Sequence, residues 1–337
     1  MPGPDPNVEI KRSLPALLRR FRTVGILASL FLLALFFSLT TDSFFSNYNL
    51  KTLAAQSVIV SLGAIGMTLV IISGGIDLSV GSVMALSMVV TALRIEAGSA
   101  LWVAAIAGCL AGAFAGLANG LMITVLRVVP FIGTLGMMGI ARGLAKYLAD
   151  NQAINVDLPS DSWLALLSTI DPSTNPSVPD WLIFAPAAWV LAGLAGAMSL
   201  ILHGTVFGRH VFAIGSNEAA ARLCGVRVRL TQVVIYVLGG LFAGLAGVVF
   251  CSRQRQGDPT AALGYELDVI AAVVIGGGSL RGGEGSIAGA LIGALIMNVL
   301  RTGLRMMNAP SSLQEILIGT IIVVAVVLDQ LQHRGTD

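Results

Sequence analysis

The chain's 337 residues are 55% hydrophobic and only 11% charged, with a mean hydropathy of +0.86. A water-soluble domain carries about a quarter of its residues charged, so this composition excludes a soluble globular protein and leaves one domain whose solvent is lipid. The net charge of +2 singles out no partner and gives no ground for nucleic acid, and 39 glycines without a three-residue period exclude collagen.

A membrane-crossing helix needs about 20 mostly apolar residues. In chain order such runs fall near 24–40, 54–73, 78–93, 101–125, 129–148, 182–203, 231–251, 265–278, 285–303 and 312–329. The expected fold class is an all-α integral membrane protein of about ten transmembrane helices. The runs 78–93 and 265–278 are short and are expected to be broken or re-entrant. Val24 to Leu39 is long for a signal-peptide core and leads into Thr40-Thr41-Asp42-Ser43, without a small-residue cleavage site. It reads as a retained first span.

Orientation follows from Lys and Arg in short loops. Lys11, Arg12, Arg19, Arg20 and Arg22 precede the first span, and Arg209, Arg222, Arg227 and Arg229 lie in the loop 204–230. Between them, 149–181 holds Asp150, Asp157, Asp161, Asp171 and Asp180 with no Lys or Arg. It also carries Pro172, Pro176, Pro179, Trp163 and Trp181. The layout expected is a cytoplasmic segment 1–23, a transmembrane domain 24–329, and a cytoplasmic tail 330–337. Loop 204–230 would be cytoplasmic and loop 149–181 periplasmic. Arg253 and Arg255 fall on the outer side, against the rule.

Glycines punctuate the spans. Gly108, Gly112, Gly116 and Gly120 recur every four residues, as do Gly285, Gly289 and Gly293, so each series is expected to form a smooth face for a neighbouring helix. Val70-Ile71-Ile72-Ser73-Gly74-Gly75 echoes Val273-Val274-Ile275-Gly276-Gly277-Gly278. An internal repeat and plain small-residue bias both account for that echo.

The chain lacks a G-x-x-x-x-G-K-[ST] phosphate loop; the nearest run, 276–285, has no Lys followed by Ser or Thr. HExxH and GxSxG are absent, the three histidines are not spaced as ligands, and Cys109, Cys224 and Cys251 read as reduced packing residues. No enzyme is expected. Asp77, Glu96, Glu266 and Asp268 stand near span ends, which disfavours an ion-coupled secondary carrier and favours one powered from outside the chain.

The sharpest constellation is 207–226. Ser216 or Asn217 suits a helix cap, Glu218 suits the positive end of a helix, Ala219 to Ala221 favour helix, and Gly225 suits a stop. A short amphipathic helix outside the membrane is expected, either an ordinary loop helix or one presented to a cytoplasmic partner.

The run Gly215-Ser216-Asn217-Glu218-Ala219-Ala220-Ala221-Arg222-Leu223 resembles the EAA-type coupling segment of ABC importer permeases, and more narrowly the ribose-type, monosaccharide-importing permease family. Gly74-Gly75-Ile76-Asp77-Leu78-Ser79-Val80-Gly81-Ser82, Pro130 to Gly136, and Gly264 to Asp268 running on to 276–285 follow in the family's order. The resemblance covers about 24–329. It implies a bacterial inner-membrane subunit paired with a second copy or homologue, two cytoplasmic ABC ATPases that hold ATP and Mg, and a periplasmic sugar-binding protein. No cofactor is expected on this chain. Gly215, Ser216, Asn217, Glu218, Ala219, Ala220, Arg222, Leu223 and Gly225 would couple to the ATPase.

Asp77 and Ser79 suit caps for a helix starting at 78–80, with Gly74 and Gly75 making the turn, or a gating role. Gly276, Gly277 and Gly278 read as a helix break or part of a substrate site. Gln56, Asn119, Phe131, Thr134 and Asn298 are candidates for a sugar path, although ordinary interhelical hydrogen bonding or packing is the first reading of each. A secondary transporter and a membrane-embedded enzyme are the rival classes, and amino acids or a furanose-like signal remain alternatives as solute.

Overall fold

The computed structural model describes residues 24–170 and 182–333. The basic residues before the first span, residues 171–181 of the outer loop (Asp171, Asp180, the three prolines and Trp181) and residues 334–337 lie outside the described residues.

Helices dominate the described chain. They are α1 (Val24–Thr40), α2 (Asn47–Ile72), α3 (Val80–Glu96), α4 (Leu101–Thr124) and α5 (Pro130–Leu148). There follow β1 (Ile154–Asn155), α6 (Trp163–Leu167), α7 (Pro186–Gly204), α8 (Val206–Ser216), α9 (Glu218–Leu223) and α10 (Val228–Gln254). β2 (Gln256–Gly257), α11 (Tyr265–Ile275), α12 (Ile287–Met306) and α13 (Ser311–His333) complete the fold. Among the described residues five helices, α2, α4, α7, α10 and α12, are long and apolar enough to cross a membrane.

Two expectations about span shape are answered differently. The run 265–278 is broken as expected: α11 has 11 residues and stops before the glycines. The run 78–93 is not broken, because α3 is one helix of 17 residues. Its Gly81 makes room for the neighbouring Ala262 carbonyl and Glu266 carboxylate, and leaves the helix intact.

The core is built around α2, whose apolar window is 94% buried inside the protein. A helix apolar on every face has no amphipathic stripe to orient it, and it is stable here because other helices cover it on all sides. α10 packs on α2, α3 and α4, while α11 and α12 close the other flank.

In lipid, close backbone approach replaces the hydrophobic drive between helices. The α4 series does this. A methyl on Gly112 would strike the Gly240 carbonyl of α10, one on Gly116 the Tyr236 carbonyl, and one on Gly120 would meet Val233, while Gly108 faces Ser87 and Thr91 of α3. The second series is corrected in part. Gly289 and Gly293 face the backbones of Gly276 and Ala272 on α11, but Gly285 lies before the helix, whose cap is Ser286.

One short ladder was absent from the sequence reading. β1 pairs antiparallel with β2, Ile154 opposite Gly257 and Asn155 opposite Gln256. It ties the segment after α5 to the end of α10 and gives that end of the bundle a fixed address.

Candidate functional site

The surface segment is two helices rather than one. Asn217 has φ −163° and ψ 100°, which ends α8 and starts α9. Asn217, not Ser216, is the cap: its Oδ1 accepts the Ala220 amide at 2.9 Å. Glu218 sits in the first turn and pairs with Arg222 at 2.6 Å, four residues on. Gly225 takes φ +84°, its amide donates to Arg222 and the Val226 amide donates to Ala221, the paired bonds of a left-handed glycine stop. Ala221 turns inward onto Ile214 and Val228, whereas Ala219 and Ala220 are exposed and Leu223 is 91% exposed. An apolar tip so bare at the end of a rigid helix suits contact with another protein.

The echo between 70–75 and 273–278 has a structural counterpart. Gly74 (φ +82°) and Gly277 (φ +93°) each hold the left-handed stop position of a helix, α2 and α11 respectively. Gly75 donates to Val70 at 2.9 Å and Gly278 to Val273 at 2.8 Å, so both helices end in the same motif.

The α2 stop and the α11–α12 loop both meet the surface segment. The Gly283 amide donates to the Ile72 carbonyl at 2.8 Å. Gly215, on the last turn of α8, lies against that carbonyl and that amide, leaving no room for a side-chain carbon. A methyl on Gly282 would stand 2.8 Å from the Gly215 carbonyl and 3.0 Å from the Gly74 Cα. Gly215, two residues before the Asn217 cap, is thus wedged between the α2 stop and the α11–α12 loop.

The loop from α2 to α3 is held by buried polar side chains. Asp77 Oδ1 accepts the Ser79 amide at 2.8 Å and the Ser79 hydroxyl at 2.6 Å. Asn119 Nδ2 donates to Ser79 Oγ at 3.0 Å, and the Thr134 hydroxyl donates to the Ile76 carbonyl at 3.1 Å. Ser79 stands at the start of α3, but its hydroxyl caps nothing, since it is spent on Asp77. Asn119 and Thr134 thus brace this loop, and Phe131 is half-exposed at the start of α5.

The two other path candidates come together at the opposite end of α2. Gln56 and Asn298 line a cavity of about 270 Å³ with Phe250, Arg253, Tyr265, Asp268, Arg301 and Arg305. Gln56 lies 16 residues before Ile72, about 24 Å along the helix. Asn298 Nδ2 donates to the Leu53 carbonyl and to Ser57 Oγ, each at 2.8 Å. Arg301 pairs with Asp268 at 2.8 Å, and Arg305 Nη2 donates to Gln56 Oε1 at 2.7 Å.

The sequence reading missed these arginines. Their signal was on α12: Asn298, Arg301 and Arg305 are spaced by three and four, so they share one helix face in an apolar span. Asp77 and Asp268 likewise stand near helix ends, as read, yet only 2% and 0% of their surface is exposed.

The apolar helices thus form a bundle that sets Gly215 of α8 against the α2 stop and the α11–α12 loop, with a polar cavity at the far end of α2. The chain belongs to the family described as the branched-chain amino acid transport system permease component, which matches residues 49–326. It is 38% identical over 307 residues to the ribose import permease protein RbsC of Escherichia coli K12, covering 90% of this chain and 92% of that one. To RbsC of Bacillus subtilis it is 40% identical over 308 residues (91% and 92%). To the L-arabinose transport system permease protein AraH of Escherichia coli K12 it is 34% identical over 311 residues (92% and 91%). The ribose-type resemblance read from four short blocks thus extends over most of the chain. No solved structure matches it.

Proposed function

We propose that this chain is the transmembrane permease subunit of a bacterial ABC importer for a monosaccharide or related sugar. A partner ATPase holds ATP and Mg and powers it, and a periplasmic binding protein supplies the sugar. The relatives aligned over nine tenths of the chain are named for ribose and L-arabinose, which favours sugar over the amino acids of the family's description.

The observation that carries the reading is the wedge of Gly215 between Ile72 and Gly283. A push on α9, passed to the adjoining α8, reaches the end of α2 and the α11–α12 loop through backbone contacts at Gly215, without a flexible side chain between. The same helices line the polar cavity about 24 Å away. Residues 204–230 form the cytoplasmic coupling loop, with Glu218, Ala219, Ala220 and Leu223 facing the ATPase. Gly74, Gly75, Asp77, Ser79 and Gly276 to Gly278 form the breaks that respond.

In this reading ten spans, α1 to α5, α7 and α10 to α13, put both termini in the cytoplasm. Loop 149–181 is then periplasmic, the transmembrane domain spans 24–329 within the inner membrane, and a second permease copy or homologue completes the complex. The β1–β2 ladder and the arginine-lined cavity then share the outer side. α11 crosses only in part, and its loop supplies the rest.

The test is ATPase activity in proteoliposomes holding this chain, its ATPase and its binding protein. Sugar-dependent stimulation that collapses with Ala220→Trp is the expected result. Solute accumulation by this chain alone would overturn the reading in favour of a secondary carrier.

A further inference from the structure

The cavity at the far end of α2 holds more positive charge than its own residues neutralise. Three guanidiniums line it, those of Arg253, Arg301 and Arg305, against the single carboxylate of Asp268. Asp268 is committed to Arg301. Among the described residues Arg305 is met by neutral acceptors: Gln56 Oε1 at 2.7 Å, Thr302 Oγ1 at 3.3 Å and the Arg301 carbonyl at 3.3 Å. Among the described residues, Arg253 Nη1 and Arg301 Nε are buried without an acceptor. Buried charged donors left unpaired are costly, and a fold that needed only one ion pair here would not carry three arginines.

The remaining lining gives the rest of the shape. Phe250 and Tyr265 stack with ring centroids 5.7 Å apart and planes 15° apart, an apolar platform beside the donors. Gln254, Gln314 and Asn298 add amides to the lining. A volume of about 270 Å³ is at the small end for ligand pockets and suits one small solute.

We propose that this cavity takes an oxyanion of the transported solute, and that the solute is an acidic sugar, carrying a carboxylate or phosphate, instead of a neutral monosaccharide. Arg253 and Arg305 receive the oxyanion, for which guanidinium forks are suited. Arg301 stays on Asp268 through its Nη2. The sugar ring lies on the Phe250–Tyr265 platform. The proposal rests on the reading of the chain as a sugar permease and narrows its substrate class.

Calorimetric titration of the purified chain in nanodiscs of zwitterionic lipid tests it, with D-glucuronate, D-ribose 5-phosphate and D-ribose as probes. Binding of at least one acidic sugar, at least ten-fold tighter than ribose and weakened ten-fold or more in Arg253→Gln/Arg305→Gln, is expected. That double variant leaves the Asp268–Arg301 pair whole, and an unchanged melting temperature without ligand shows that it folds. Ribose binding as tightly as the acids, no binding of either acid, or acid binding that ignores the double variant would each overturn the proposal. Titration that vanishes in zwitterionic lipid but is mimicked by added phosphatidylglycerol would overturn it too, giving the cavity to a lipid headgroup. ATP-driven uptake in the reconstituted complex separates the two readings. Uptake of neutral sugar alone sinks only the acidic-sugar proposal, whereas uptake of no sugar sinks the importer reading itself.

Discussion

The Gly283 amide and the Ile72 carbonyl are joined by a 2.8 Å hydrogen bond across more than two hundred residues of chain. That bond ties the stop of α2 to the loop between α11 and α12, and Gly215 closes over it from α8. A displacement of the surface helix must move through this bond or break it.

Gly215→Val is therefore expected to uncouple the complex. Its side chain would press on Ile72 and Gly283 backbone atoms that have nowhere to go, an overpacking cost of about 1–3 kcal/mol. ATPase activity in proteoliposomes should lose its dependence on sugar and binding protein while the complex still assembles. Full stimulation in the variant would show that the wedge carries no signal.

Glu218→Lys acts on a different step. It sets a positive charge against Arg222 and against the positive end of α9, both exposed, so folding changes by about 0.5 kcal/mol or less. Association with the ATPase, followed by co-purification, should fall by ten-fold or more. Unchanged co-purification would remove Glu218 from the docking surface.

Gly240→Leu tests the helix seam. Its added carbons meet the backbone of Gly112 and Gly116, so α10 and α4 must separate. A lower melting temperature in detergent and loss of monodisperse protein by size-exclusion chromatography are the outcomes to look for. Leu200→Ala, on the exposed face of α7, should leave both unchanged.

Asn119→Ala removes one interhelical donor to Ser79 and should cost about 1 kcal/mol in a thermal melt. Its larger effect should be on transport, since it frees the loop 73–79 that ends at the wedge. A wild-type transport rate would confine Asn119 to packing.

Asn298→Ala loses two 2.8 Å bonds to α2 and opens the cavity wall. Thermal stability should fall by about 1–2 kcal/mol. Solute affinity should fall as well, because Gln56 and Arg305 line the same space.

How much was legible varied with range. The caps of α9 were readable because Asn217, Ala220, Arg222 and Gly225 lie within one or two turns of one another. The α4 glycine face was readable because its period is the helix's own. The five path candidates fall in different places. Gln56 and Asn298 meet in the cavity, yet Asn119 and Thr134 differ from them in no property a linear reading weighs. What separates them is which neighbours stand opposite: Ser79 and Ile76 for Asn119 and Thr134, and Leu53, Ser57 and Arg305 beside the cavity for Asn298 and Gln56.

By itself the sequence determined the solvent, since 11% charged residues leave no aqueous surface to build, and it determined the local stops and caps, since their partners are a few residues away. Tertiary structure alone decided that Arg301 answers Asp268, that Arg142 of α5 donates to the Pro259 and Ala261 carbonyls at 2.8 and 2.6 Å, and that Gly257 pairs with Ile154. It also decided that three glycine-bearing segments close on one carbonyl. Such contacts join residues distant in the chain, and hydropathy is nearly the same at every buried position. Only the packing of whole helices selects which ones touch.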